Sequence, residues 1–523
     1  MNIFDVKELT KDSVINLALD TIEKEKQALI FCPSKASAEK TAEEIAKKIK
    51  KSSDILINLS EQLEKTVSPA TKQCKRLAKC VKTSIAFHHA GLLQKQKEAI
   101  EDGFREGTIK VIACTPTLAI GVDLPSYRTI IKSLKRYTGR FGMQYIPVLE
   151  YHQMAGRSGR PGKDTRGEAI TLATTETQKE QIYEKYIIGE PEEVYSKLAV
   201  EPVLRTYILS LIASNFVRTK KDILSFFEKT FWAHQFEDLE RLSHIINKML
   251  NLLEDYRFIT AKGKAGDFVS ANEILEESYE ATPLGQRVSQ LYIDPLTANK
   301  IITSLEKATE KKQTLTAFNI LQLFANTIEL KPLLRVKTKD YDDIEETYIK
   351  KQDTLITELP DTFDSEYDEF LNSIKTTLFF GEWIEEKSEE TLLEKFDVRP
   401  GEIHAKLNRI DWLCYGAVEL CKLLPLKKAG NEVHKIRQRL KYGAREELLP
   451  LLKLKNIGRR RSRRLFMNKI KNVADIKRID ITSLAQILGQ KVAINLKKQV
   501  GEKVEDIKIK PTKRKGQMSL DKY

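Results

Sequence analysis

The stretch LIFCPSKASAEKTAEEIAKKIK, residues 29–50, decides the fold. Leu29 to Pro33 is a short apolar run closed by proline, the pattern of a buried strand. Residues 34–50 then repeat apolar positions at helical spacing, with Ser34 or Ser37 able to cap the first turn. Working outward, SVINLALDTIEKEKQA (13–28) predicts a preceding helix. SIAF (84–87), KVIAC (110–114) and TIIKS (129–133) predict further strands, with a helix over 93–105. Strands separated by helices of this size specify a parallel sheet covered on both faces, with functional loops expected at the strands' C-terminal ends. The interval 51–82, helical but rich in lysine and polar residues, reads as an irregular connection.

Beyond about residue 200 the alternation stops. VLRTYILSLIASNF, DILSFFEKTFWA and LERLSHIINKMLNLLEDY predict three helices, followed by a β element at 258–260 and by ATPLGQRVSQLY, the order of a winged-helix domain over 201–295. Residues 296–445 read as all-helical apart from an acidic stretch near Asp340 to Glu369. A small basic helical domain follows at 446–505, and 506–523 reads as a disordered tail. A chain of 523 residues accommodates these several domains.

The formal charge is +14, from 88 Lys and Arg against 74 Asp and Glu. Residues 431–523 hold 26 Lys and Arg against 9 Asp and Glu, a net +17 that leaves about −3 for the rest, so attraction to a polyanion belongs to the C-terminal part. Cys32, Cys74, Cys80, Cys114, Cys414 and Cys421 show no paired CxxC spacing, which speaks against a structural zinc site or a disulfide framework and fits a reducing cytoplasm. The polar start MNIFDVKELTKDS and the lack of any long apolar run give no support for a signal peptide or a membrane span.

The segment YHQMAGRSGRPG (151–162) carries the most chemistry. It spaces Arg157 and Arg160 three residues apart, read as one helix face, with Gln153 one turn earlier and Gly156, Gly159 and Gly162 keeping the backbone uncrowded. Two guanidiniums presented together suit a polyphosphate, especially where charge builds up on a transferring phosphoryl group; a basic surface loop is the plainer alternative. CTPTLAIGVDLP (114–125) follows a predicted strand and offers Thr115 and Thr117 to phosphates and Asp123 to an arginine or a water. Alone, Asp123 reads equally as a turn residue. HHAGL (88–92) and FCPSK (31–35) each follow a strand. The histidine pair has no third ligand near it, so no metal is expected.

Taken in order, FCPSK, HHAGL, TPTLAIGVDLP and QMAGRSGRPG resemble the second-lobe motifs of Ski-like superfamily 2 helicases, most closely the archaeal fork-repair 3′–5′ DNA helicases related to the helicase part of polymerase theta. The resemblance implies a multidomain chain: a RecA-like α/β second helicase lobe over 1–200, then winged-helix, all-helical ratchet and helix-hairpin-helix domains. It implies that Arg157 and Arg160 act as arginine fingers, that Gln153 couples nucleotide to strand binding, and that Gly121 and Asp123 close the nucleotide site. Lys35, Thr115 and Thr117 would contact the nucleic-acid backbone. No GxxxxGK[ST] loop and no DExH-like box occurs in the sequence, so the first ATP-binding lobe is expected to be missing. The chain alone is then expected to be inactive, with ATP and Mg2+ bound only at an interface with that lobe.

IIKSLKRYTGRFGMQYIPVLEY (130–151) predicts a β-hairpin at about 132–148, by resemblance the strand-separating wedge, with Arg136, Tyr137, Arg140 and Phe141 available to backbone and bases. GEIHAKLNRIDWLCYGAVELCKLL (401–424) predicts a long helix on which Lys406, Arg409 and Trp412 can approach a common groove. It resembles the family's ratchet helix, although Trp412 reads equally as core and His404 and Ala405 stand where family members tend to carry arginine. LLKLKNIGRRRSRRLFMNKI (451–470) and SLAQILGQKVAINLKKQV (483–500) turn at Gly458 and Gly489 and resemble paired helix-hairpin-helix elements. Arg459, Arg460 and Arg463 stand within a run of five arginines that attracts phosphates irrespective of sequence. In the tail, Gln517, Leu520 and Tyr523 resemble a truncated sliding-clamp-binding peptide.

The expected partners are single-stranded or forked DNA, the sliding clamp and, if the sequence is one half of a split enzyme and not a piece of a longer chain, a separately encoded first lobe. The expected state is a monomer in the cytoplasm, associated with the nucleoid. A non-catalytic nucleic-acid-binding scaffold and an RNA-directed Ski-like helicase component remain the alternative readings.

Overall fold

The computed structural model describes residues 5–50, 52–67, 70–137, 142–162, 164–198, 200–236, 239–262 and 277–502. The chain divides into two compact units, Met1–Ser196 with Glu389–Lys406, and Lys197–Ser388 with Leu407–Tyr523. Residues 389–406, within the helical stretch expected over 296–445, are mainly helical and cluster with the first unit.

The first unit is built on five parallel strands, β1 (Ala28–Phe31), β2 (Ile85–His88), β3 (Val111–Cys114), β4 (Arg128–Ile131) and β7 (Glu168–Thr171), in the order β2-β3-β1-β4-β7. The first four are wholly buried, which is why continuous apolar runs betray them. β1 is central: Ala28 faces Val111 on one side and Arg128 on the other, and Phe31 faces Cys114 and Ile131. The edge strand β7 has the sequence EAIT, with Ala169 exposed and its other positions only partly buried, so no apolar run marks it. Around the sheet lie α1 (Ser13–Glu23), capped by Asp12, and α2 (Lys35–Ala46), capped by Ser34.

The stretch read as an irregular connection is in fact two helices, α3 (Asp54–Glu64) and α4 (Lys72–Val81), packed on each other and capped by Ser53 and Thr71. The lysines of α4 occupy the solvent face, while Gln73, Cys74, Leu77, Ala78 and Val81 form a buried stripe at helical spacing. α5 (Gln94–Arg105) precedes β3.

One charged residue lies in the sheet core. Arg128 is fully buried, and its guanidinium pairs with Asp20 at 2.8 Å and Glu168 at 2.6 Å and donates to the Leu17 carbonyl and Thr21 hydroxyl. It thereby ties α1 to the edge strand. For both carboxyls burial is outweighed by hydrogen bonds, from Lys24 and Arg128 to Asp20 and from Arg128 and Tyr127 to Glu168, which hold them below the usual carboxylate range.

From the C-terminal end of β4 the chain enters the antiparallel pair β5 (Lys135–Tyr137) and β6 (Met143–Tyr145), Lys135 opposite Tyr145, and then α6 (Val148–Ala155). Pro147 gives α6 no side-chain cap; Glu192 accepts the Val148 and Leu149 N–H groups at 2.7 and 3.1 Å instead. Tyr186, from the turn after α7 (Glu176–Ile182), packs on Tyr151 and donates to the Ile146 carbonyl at 2.7 Å, fixing the base of the hairpin.

In the second unit, α8 (Glu201–Ala213), α9 (Lys220–Phe227), α10 (Phe231–Phe236) and α11 (Leu239–Asp255) precede the antiparallel pair β8 (Ile259–Lys262) and β9 (Ser278–Ala281). α12 (Pro283–Leu291) follows. A Cβ at Gly285 would lie 1.9 Å from the Phe258 carbonyl oxygen, so only glycine lets this helix approach the start of β8. The rest of the unit is helical among the described residues: α13 (Pro295–Glu310), α14 (Ala317–Ala325), α15 (Tyr341–Lys351), α16 (Tyr367–Ile384) and α19 (Lys427–Tyr442), with α17 (Glu389–Phe396) in the first unit. α18 (Pro400–Leu423) begins in the first unit and continues in the second. Five short helices close the chain, α20 (Leu449–Leu452), α21 (Arg459–Met467), α22 (Val473–Arg478), α23 (Ile481–Leu488) and α24 (Gln490–Gln499), around a small apolar core of their own. Among the described residues no helix is long and apolar enough to cross a membrane.

Candidate functional site

The arginine segment departs from its sequence reading in two ways. First, α6 ends at Ala155 with Gly156 as its C-cap, so Arg157 and Arg160 stand on a loop, and their three-residue spacing does not place them on one helix face. Second, the loop lies at the N-terminal edge of the sheet. Helices between parallel strands run back along the sheet, so a loop that leaves a helix emerges where the strands begin. Ser126, just before β4, donates its N–H to the Arg157 carbonyl at 2.8 Å and accepts the Gly159 N–H at 2.6 Å. Gly159 has φ +89°, and a Cβ at Gly167, just before β7, would lie 2.2 Å from the Gly159 nitrogen.

The two guanidiniums differ. Arg157 donates through Nη2 and Nε to the Ala119 carbonyl at 2.5 and 3.2 Å, and its nearest carboxylate is Asp123 at 3.8 Å, itself 96% exposed. Arg160 is held on three sides. Its Nε and Nη2 donate to Asp164 at 2.6 and 2.9 Å, and its Nη1 donates to Gln27 Oε1 at 2.8 Å. Lys26 adds a second cation on Asp164 at 2.8 Å, and the Arg160 and Lys26 contacts hold this carboxyl far below its ordinary range. Gln27 donates in turn to the Phe104 and Ile109 carbonyls, anchoring the loop to the core. Gln153 is exposed on α6.

The loop 116–125 links the two sheet edges. At its start, beyond the C-terminal end of β3, the Thr115 and Thr117 hydroxyls lie 2.9 Å apart; at Ala119 it meets Arg157. Gly121 has φ +81° with open space around it, the backbone state that glycine supplies without strain. Lys35 stands at the C-terminal edge in the first turn of α2, paired with Glu402.

On the hairpin, Arg136 pairs with Glu150 at 2.7 Å; Arg140, Phe141 and the Tyr137 side chain lie outside the described residues. Tyr145, not picked out by the sequence reading, is 41% exposed, with the Lys135 and Lys185 ammonium groups 4.5 and 5.2 Å from its ring centre. On α18, Lys406 is the last residue of the first unit. In the second unit Arg409 donates to the Lys331 carbonyl, and Trp412 packs on the winged-helix core and donates to the Leu291 carbonyl at 2.9 Å, so its indole is half-buried and anchored. One turn on, Tyr415 is exposed beneath the Arg437 guanidinium at 4.9 Å, an aromatic with a cation that the sequence reading passed over.

The arginine run on α21 divides in the same way. Arg463 pairs with Glu386 and with Glu447 at 2.7 Å, and Arg459 lies over the Trp383 ring at 5.0 Å, so these two fasten the basic module to the helical domain. Arg460, Arg461 and Arg464 are exposed. Gly489, with φ +90°, makes the turn between α23 and α24. Gln517, Leu520 and Tyr523 lie outside the described residues. The six cysteines are buried and unpaired, and among the described residues no group of His, Cys, Asp or Glu is arranged to hold a metal ion.

Comparison with known proteins matches residues 47–162 to the helicase conserved C-terminal domain, 167–260 to a helix-turn-helix domain and 318–443 to archaeal helicase domain 4. The ATP-dependent DNA helicase Hel308 of Methanocella arvoryzae is 38% identical over 506 residues, covering 94% of this chain and 65% of the relative. That of Methanococcus vannielii is 35% identical over 535 residues, covering 96% and 69%, and that of Pyrococcus horikoshii 36% over 515 residues, covering 97% and 68%. The chain belongs to the Hel308 helicase family. It spans about two thirds of the length of these Hel308 relatives.

Within this Hel308-family lobe one further cluster gathers residues that sequence reasoning left apart. His89, fully buried, lies with Nε2 3.1 Å from Glu39 on α2, and its Nδ1 accepts the Gly91 N–H at 3.1 Å. Glu39 also accepts Arg76 of α4 at 2.7 Å and Arg399 at 2.9 Å. Burial pushes the Glu39 carboxyl up, but the bonds from His89 and Arg399 outweigh it and hold the pKa at about 2; burial lowers that of His89. The glutamate therefore stays ionised at neutral pH and the imidazole neutral. No motif spacing joins positions 39, 76, 89 and 399, and only the histidine pair hinted at the cluster.

Proposed function

We propose that the chain supplies the arginine-bearing lobe and the nucleic-acid-handling domains of an ATP-dependent 3′–5′ DNA helicase acting in replication-fork repair or recombination, working on a nucleotide gripped by a first lobe. The observation that carries this reading is the state of Arg157: a guanidinium on a loop pinned through Ser126 and Gly159, held by the Ala119 carbonyl and, among the described residues, in no buried ion pair. Such a group can turn towards charge developing on a transferring phosphoryl group without stranding a buried carboxylate. Arg160, locked to Asp164 and Gln27, fixes the loop that presents Arg157 and joins in neutralising phosphate only when that pair opens. Gln153 on α6, Gly121 and the solvent-facing Asp123 complete the nucleotide side, where ATP and Mg2+ would be held mainly by the partner lobe.

On the nucleic-acid side, Lys35, Thr115 and Thr117 at the C-terminal edge meet backbone phosphates, and the hairpin with Arg136 and Tyr145 parts the strands. Lys406, Arg409, Trp412 and Tyr415 line successive turns of α18, and Arg460, Arg461 and Arg464 add attraction that weakens with salt. The test is strand displacement by the chain combined with a nucleotide-binding lobe, using matched DNA and RNA duplexes with 3′ or 5′ single-stranded tails. Displacement of the 3′-tailed DNA is expected; preference for the RNA duplex or the 5′ tail overturns the reading.

A further inference from the structure

The carboxylate that holds Arg160 does not depend on Arg160 alone. Asp164, 1% exposed, accepts Nε and Nη2 of Arg160 at 2.6 and 2.9 Å and also the Lys26 ammonium at 2.8 Å. The main chain closes the same turn, because the Asp164 N–H donates to the Arg160 carbonyl at 3.0 Å. Asp164 is thus kept at its place by the backbone, whichever cation faces its side chain.

Lys26 comes from a different element. It stands in the turn between α1 and β1, where its N–H donates to the Thr21 carbonyl at 3.0 Å, and its side chain is 36% exposed. It is therefore anchored apart from the arginine loop and does not travel with it. The next residue, Gln27, is buried and has its amide nitrogen committed to the Phe104 and Ile109 carbonyls, which leaves Oε1 to accept Nη1 of Arg160. Two consecutive residues act on Arg160 in opposite ways: Gln27 holds it, whereas Lys26 competes with it for one carboxylate. A buried ion pair ordinarily resists opening because the carboxylate left behind has no counter-charge. Here the departure of Arg160 leaves Asp164 with Lys26.

We infer that Lys26 is a positioning residue for Arg160, a stand-in cation that keeps Asp164 neutralised when Arg160 swings towards the phosphoryl group, so that the Arg160–Asp164 pair is a latch and not a fixed strut. The inference rests on the motor reading above and deepens it: the reach of the second arginine is set by a lysine outside the segment 151–162 that carries both arginines.

The exchange of partners is measurable in the 523-residue chain without nucleotide. Arg160→Ala is expected to lower the first unfolding transition by about 2 °C by itself and by about 6 °C when added to Lys26→Met, because only the second case leaves Asp164 without a cation; adding Asp164→Asn to that pair removes the excess. In the chain combined with a nucleotide-binding lobe, Lys26→Met is expected to lower DNA-stimulated kcat by about tenfold while KM for ATP stays within about twofold, since Arg160 meets the phosphoryl group only as charge develops on it. Asp164→Asn added to Lys26→Met is expected to restore at least about half of the lost kcat, because no carboxylate then remains to be stranded. Additive losses in the unfolding series, an unchanged kcat in Lys26→Met, or a kcat that Asp164→Asn does not restore overturns the role of Lys26. A wild-type mixture that turns over no ATP strikes the motor reading instead, and the unfolding series still decides whether Lys26 stands in for Arg160.

Discussion

Replacing Arg157 with alanine is expected to lower DNA-stimulated ATP turnover by about 10²- to 10³-fold in the chain combined with a nucleotide-binding lobe, and to leave thermal unfolding unchanged. The two halves of this expectation come from one geometry. Arg157 gives up only a bond to the Ala119 carbonyl and a distant approach to the exposed Asp123, so its loss costs the fold little. Its loop is pinned at Ser126, so on the proposed reading the guanidinium has only to exchange the Ala119 carbonyl for phosphoryl charge, and charge held this close to its place acts most strongly on the transition state. Arg160→Ala should differ in kind: it leaves Asp164 beside Lys26 alone and Gln27 Oε1 without its donor, so activity and stability decline together. Equal loss of stability in both variants, or no loss of turnover in Arg157→Ala, would remove Arg157 from the nucleotide side.

The largest effect on the fold is expected from Arg128→Met. The substitution preserves much of the buried volume but leaves Glu168 and Asp20 facing an apolar side chain in the sheet, and breaking a buried pair from one side costs about 3–5 kcal/mol. Asp20 keeps Lys24 and Glu168 keeps Tyr127 and Arg166, which points to the lower end of that range. The check is the first unfolding transition of the full chain by calorimetry, expected to move down by several degrees, with Glu168→Gln added to Arg128→Met recovering part of the loss. An unmoved transition would mean that Arg128 does not pin α1 to the edge of the sheet.

These residues also show what the sequence could convey. β1 to β4 are legible because strands buried on every side must be continuously apolar, and the helices around them follow from spacing and, for α2, from the cap at Ser34. β7 is not legible: an edge strand carrying Glu168 as the partner of Arg128 has no reason to be apolar. α3 and α4 were obscured because the lysines of α4 and of the flanking turns dominate the composition while narrow buried stripes do the packing. The arginine segment was legible in content and misjudged in geometry, since spacing of three implies a shared face only if the helix continues, and Gly156 ends it.

Trp412 and the arginine run show the converse limit. Residue type left Trp412 open between nucleic acid and core and placed the arginines at the nucleic acid, but what holds an indole or a guanidinium depends on partners far away in sequence, Leu291 for Trp412 and Glu386 for Arg463. Glu39 and Arg399, paired at 2.9 Å, stand 360 residues apart in the chain, beyond the reach of any local pattern.

The measurement that bears most directly on the whole account is steady-state ATP hydrolysis with single-stranded DNA, by the 523-residue chain alone and after addition of a lobe bearing a phosphate loop and a DExH box. Turnover is expected only in the mixture, and only with Arg157 present. Vigorous hydrolysis by the chain alone would contradict it, because the arginines would then be serving a nucleotide held within this chain.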